Sequence, residues 1–138
     1  WIPAQPIPVA MGPLAFAKPL SAFELVKDID FNKFDTSYDR QVAEVFKFNN
    51  VAIEDGPFAM GEVSFHHNLC CHTAAGNRTT QSRVVLANTY FADGARVIDQ
   101  PTMVSGDWQK FIPGVGPGDV AASVLNPVCW PANTERKA

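Results

Sequence analysis

Gly61-Glu-Val-Ser-Phe-His-His-Asn-Leu-Cys-Cys-His72 and, beyond a polar link, Ser82-Arg-Val-Val-Leu-Ala-Asn-Thr-Tyr-Phe91 are the two runs on which the fold turns. From Glu62 to His67 the residues alternate with the period of a half-buried strand. Val63, Phe65 and His67 fall on one face, and Glu62, Ser64 and His66 on the other. A short extended piece, Leu69 to His72, follows. The link from Thr73 to Gln81 holds Gly76-Asn77 and reads as a loop. The second run is β-branched and aromatic enough to predict a central strand over Ser82 to Phe91.

Outward from this region the pattern changes. Prolines 3, 6, 8, 13 and 19 exclude a helix from the first twenty residues. Ile7, Val9, Leu14 and Phe16 suit short extended pieces on either side of a Gly12-Pro13 turn. Ser21 to Asp35 predicts no regular element. Tyr38 to Asn49 predicts a helix: Asp35, Thr36 and Ser37 offer N-caps, Val42, Val45 and Phe46 recur at helical spacing, and Asn49-Asn50 supplies a stop. The tail, 99–138, is rich in glycine and proline and reads as loop, with a turn of helix near Asp107 to Phe111. The fold class expected is mainly β with one or two helices.

The chain of 138 residues has room for a single domain and one modest core. With 46% apolar and 18% charged residues it is neither disordered nor fibrous. Its 11 basic residues against 14 acidic ones, without a basic run, argue against a nucleic-acid or anionic-membrane partner. No apolar stretch reaches the roughly 20 residues that span a bilayer, so a soluble, cytoplasmic protein is expected. Cys70, Cys71 and Cys129 are odd in number and form no CxxC pair, which reads as reduced thiols. The apolar, proline-punctuated opening at Trp1 lacks the pattern of a signal peptide and reads as the interior of a longer chain; the alternative is an N-terminal edge strand.

All three histidines lie between positions 66 and 72. Clustered imidazoles invite a transition metal, but His66 and His67 are neighbours on a strand and point to opposite faces. A single strand histidine is more often a polar or packed residue than a ligand. Arg83 changes the balance for His72. If Leu69 to His72 pairs antiparallel with Arg83 to Leu86, His72 and Arg83 stand opposite each other and share a face. That face would offer an imidazole for a cation beside a planar, permanently charged fork for a carboxylate. The alternative for Arg83 is a surface arginine paired with an acid.

The stretch from Gly61 to Tyr90, with His72, Asn77 and Arg83 in order, resembles the phytanoyl-CoA dioxygenase family. The resemblance implies a double-stranded β-helix (jelly roll, cupin-like), here incomplete, and an Fe(II)- and 2-oxoglutarate-dependent oxygenase acting on a small organic or acyl substrate. It implies that His72 is an iron ligand and that Arg83 holds the distal carboxylate of 2-oxoglutarate, the cosubstrate. His67 and Phe65 are candidates to line the pocket, as is Asn77, whose simpler reading is a turn former. Loops in 21–60 and 99–138 are where substrate contacts are expected. Trp108 and Trp130 are read as core anchors or covers of a pocket mouth. Ala17-Lys-Pro-Leu-Ser21 departs from the Pro-Gly-Ser-His turn of the family. A larger departure is that no His-x-Asp or His-x-Glu occurs in the chain, although a 2-His-1-carboxylate triad needs one. The expectation is therefore the C-terminal part of a larger jelly-roll oxygenase, with little activity alone. The rival is a metal-free cupin-like binding or scaffold protein. A homodimer covering open sheet edges is a further expectation. A cysteine hydrolase is disfavoured, for neither a base nor an orienting acid is in view.

Overall fold

Leu14-Ala-Phe-Ala17 is the strand around which the larger sheet forms, because its two faces are used differently. The computed structural model describes residues 1–32, 34–100 and 108–130. They belong to two compact units, Trp1–Asn88 and Thr89–Ala138. In the first unit, β1 (Ile2–Pro3) pairs antiparallel with β5 (Val85–Leu86). The second sheet has the order β3-β2-β4, with β2 (Leu14–Ala17) between β3 (Ile53–Asp55) and β4 (His72–Ala74), all antiparallel. The chain thus leaves one sheet after β1, builds the other, and returns for β5.

Register assigns the faces. Phe16 lies opposite Glu54 on one side and His72 on the other, so Glu54, Phe16 and His72 form one row across the sheet. Ala15 and Ala17 point the other way, where small side chains admit a helix. That helix is α1 (Ser37–Phe48), close to the expected span. Its Phe46 is buried with Ala17, Ala22 and Val26, and Val42 and Val45 pack against the same cluster. The helix ends at Asn49, and Asn50 takes φ 53, a left-handed conformation that asparagine tolerates better than most residues. Lys18 and Glu54 form an ion pair at the surface. Ile7, fully buried, exchanges both backbone hydrogen bonds with Phe58.

Several expectations are corrected here. The strands run only two to four residues, and the longest element is the 12-residue α1. The observed architecture keeps the coarse expectation, two small antiparallel sheets with few helices, but its strands are short. Glu62 to His67 forms no strand; only its start lies against β1, where Ser64 and Trp1 exchange backbone hydrogen bonds. Of Ser82 to Phe91, only Val85 and Leu86 join a ladder. The short strand begins at His72 instead of ending there, and it pairs with β2, not with the segment from Arg83. Leu69 to His72 therefore makes no hairpin with Arg83 to Leu86.

In the second unit, Arg96 bridges to Val120 in antiparallel fashion, and the Arg96 guanidinium donates to the Gly118 carbonyl at 2.8 Å. Among the unit's described residues, Val97 is the buried apolar one. A 3-10 turn, Trp108–Lys110, matches the described part of the expected helical turn; Asp107 lies outside the described residues. Trp108 is half-buried, whereas Trp130 is 85% exposed and anchors no core. Among the described residues no helix is long and apolar enough to cross a membrane.

Candidate functional site

The row Glu54–Phe16–His72 receives a fourth member from outside the sheet. The His66 ring stands 4.7 Å from the His72 ring, centroid to centroid, at 55°. Phe16 backs both, at 5.2 Å from His66 and 6.2 Å from His72. Residues 61–64 lie beside β1, and Ser64 and His66, two apart in extended chain, share a face; their side chains meet at 3.1 Å, Oγ to Nδ1. The alternation therefore identified the right face but not the neighbour it would meet.

Hydrogen bonds set the tautomer of two rings in their neutral form. His72 Nδ1 lies 2.9 Å from the Cys70 carbonyl, which only accepts, so Nδ1 carries a proton and, in the neutral ring, Nε2 keeps its lone pair. This is the outer-shell arrangement that presents Nε2 to a metal. His67 is the reverse: its Nδ1 accepts the Leu69 N–H, and in the neutral ring Nε2 holds the proton. Partial desolvation by its neighbours, and then the adjacent His72, hold the His66 imidazole below its ordinary pKa. Folding favours the neutral ring, so this stability is present above the unfolded-state value and is lost as pH falls through the lowered folded one. In an NMR titration, His72→Gln should move the His66 midpoint part of the way up, because the partial desolvation remains. An unmoved midpoint would mean that the rings are not adjacent.

Two cavities flank Phe16. One, of about 700 Å³, is lined by Glu54, Phe58, Phe65, His66, His67 and Cys70 among others. The other, of about 450 Å³, lies between α1 and the sheet, with Val42, Phe46 and Ile53 as apolar wall and Tyr38, Cys71 and Thr73 among its polar groups. Both are within the usual size of small-molecule sites. Burial, and then Cys70, raise the Cys71 thiol; burial, and then Cys71, raise the Tyr38 phenol, so both are neutral near pH 7. Such a thiol holds little thiolate near neutral pH and is a weak nucleophile there. Cys70, Cys71 and Cys129 are all free.

Of the expected site residues, Phe65 and His67 line the larger cavity, and His72 belongs to the strand that floors the smaller one while its side chain shares the face of Phe16. Arg83 lines neither: its Nη1 donates to the carbonyls of Met11, at 3.4 Å, and Gly12. It braces the turn before β2 and does not stand opposite His72. Asn77 closes its own loop, with Oδ1 accepting from Thr79 N–H and Nδ2 donating to the Gln81 carbonyl. That is the turn-former reading, and neither cavity has it as a lining residue. His66, to which sequence reasoning assigned no role, is the addition; its contact with His72 is tertiary and leaves no sequence signal. Among the described residues no group of three or more His, Cys, Asp or Glu is placed to hold a metal ion. No family model, curated protein or solved structure matches the chain.

Proposed function

We propose that this chain is part of an Fe(II)- and 2-oxoglutarate-dependent oxygenase of the phytanoyl-CoA dioxygenase type, on an incomplete jelly roll, hydroxylating a small organic or acyl substrate. The observation that carries the reading is His72, whose Nδ1 is committed to the Cys70 carbonyl and whose Nε2 is left for a metal. Passage of the chain between two antiparallel sheets supports the jelly-roll part. So does the position of β4 at the edge of its sheet among the described residues. A strand added there would carry a His and an Asp two apart on one common face.

The iron fits these residues only in part. His72 supplies one donor of the three that the triad needs, so no reaction step follows from this chain alone. The bound iron and cosubstrate would supply oxidation by O₂ coupled to decarboxylation of 2-oxoglutarate. The resemblance, not its placement, assigns Arg83 to the 2-oxoglutarate carboxylate: its Nη1 holds the Met11–Gly12 turn and it lines neither cavity, so the carboxylate would have to reach Nε and Nη2 at that turn. The reading places the enzyme in the cytoplasm, where free thiols stay reduced, and allows a homodimer across the open sheet edges.

Anaerobic calorimetry with Fe(II) and 2-oxoglutarate tests it on these 138 residues and on a longer polypeptide carrying the upstream residues. Expected are little binding by the former and one iron per chain by the latter. His72→Ala should abolish iron binding, and Arg83→Met should weaken 2-oxoglutarate binding at least about tenfold, the loss of a charge-assisted pair. No iron in the longer polypeptide would overturn the reading and leave the metal-free cupin-like module in its place.

A further inference from the structure

The His66–His72 pair has the makings of a chelate that needs nothing from outside these residues. Each ring has Nδ1 against an oxygen, Ser64 Oγ at 3.1 Å for His66 and the Cys70 carbonyl at 2.9 Å for His72. With Nδ1 as the donor in both, each ring keeps its Nε2 lone pair, and ligating histidines are commonly oriented by this outer-shell bond. An ion about 2.1 Å from Nε2 lies about 3.2 Å from the ring centre, so two rings sharing it at about 90–110° stand about 4.5–5.2 Å apart. The observed separation of 4.7 Å falls within that interval. Phe16 packs on both rings and limits their rotation, which lowers the entropy lost on chelation. Both histidines are exposed, so an ion has access and water can complete its shell.

We propose that His66 and His72 bind one Zn²⁺ ion between them through Nε2, a two-imidazole site that holds Fe²⁺, lower in the affinity order, only weakly. Imidazole suits Zn²⁺ and Ni²⁺ and is a poor match for Mg²⁺ or Ca²⁺, which favour oxygen donors. His67 is excluded from the pair, since the Leu69 N–H occupies its Nδ1. The proposal shares His72 with the oxygenase reading but does not depend on it, because that reading assigns His66 no ligand role.

Titration of the purified 138-residue chain with Zn²⁺, followed by calorimetry in a non-chelating buffer, tests it. One ion per chain is expected, with no response to Mg²⁺. His66→Ala and His72→Ala should each weaken binding at least about tenfold, since loss of even an outer-shell partner costs that much; His67→Ala should leave it unchanged. As both target rings are exposed, these variants should keep the parent melting curve. On the unsubstituted chain, Zn²⁺ should shift the His66 and His72 ring resonances together. Co²⁺ should give no thiolate charge-transfer absorption. Binding by His66→Ala equal to the parent, a requirement for His67, or a thiolate band with Co²⁺ would each overturn the proposal. The oxygenase reading would survive any of these results, because it fails only on iron in the longer polypeptide.

Discussion

Gly12→Ala should cost the Trp1–Asn88 unit about 2–5 kcal/mol, combining the left-handed backbone penalty with overpacking. Gly12 has φ +70 and is buried. A Cβ there would be driven into the Ala75 carbonyl, 2.7 Å from its carbon and 3.2 Å from the Gly76 oxygen. Those neighbours are backbone and cannot swing away as a side chain would. The same glycine closes the 3-10 turn Val9–Met11 through its N–H to Val9, and its carbonyl accepts from Arg83. A loss of this size is a large share of the roughly 5–15 kcal/mol that holds a domain folded. Urea denaturation measures it, and Gly61→Ala is the control. Gly61 has φ +83 but open space around it, so only the backbone term of about 1–2 kcal/mol applies. Equal losses at the two positions would mean that the close approach to residues 75 and 76 has no energetic weight.

Phe46→Ala should destabilise the same unit by about 3 kcal/mol, the lower end of the range for a buried aromatic truncated to alanine. Phe46 is 8% exposed and fills the space over Ala17, Ala22 and Val26. Alanines cannot grow into the void, so it persists as cavity beside the space between α1 and the sheet. The consequence reaches the site, for α1 covers the face of β2 opposite to Phe16 and His72. Phe48→Ala, two residues on and 86% exposed, should stay within about 0.5 kcal/mol. A comparable effect from both would mean that α1 is not docked through its Phe46 face.

Local chemistry made part of this molecule legible. Proline spacing excluded an N-terminal helix, and Gly12-Pro13 marked the turn that precedes β2. Val42, Val45 and Phe46, with Asn49-Asn50 after them, delimited α1 almost to the residue. Each of these rests on contacts within a few positions, which a sequence displays directly. The expectation for Arg83 depended on neighbours some seventy positions away along the chain. Asn77 kept its short-range turn role and made no part of a pocket.

By itself, the sequence determined which residues turn, which coil into a helix and which alternate. It also put Ser64 and His66 on one face. Only the tertiary structure decided that β4 lies against β2, that Arg83 reaches the Met11 and Gly12 carbonyls, and that His66 meets His72 over Phe16. The reason is that side-chain period sets the face of a strand but leaves its partner open. Several short extended segments offered equivalent edges, and the choice fell to burial: α1 over Ala17 on one side, Phe16 beneath the imidazoles on the other.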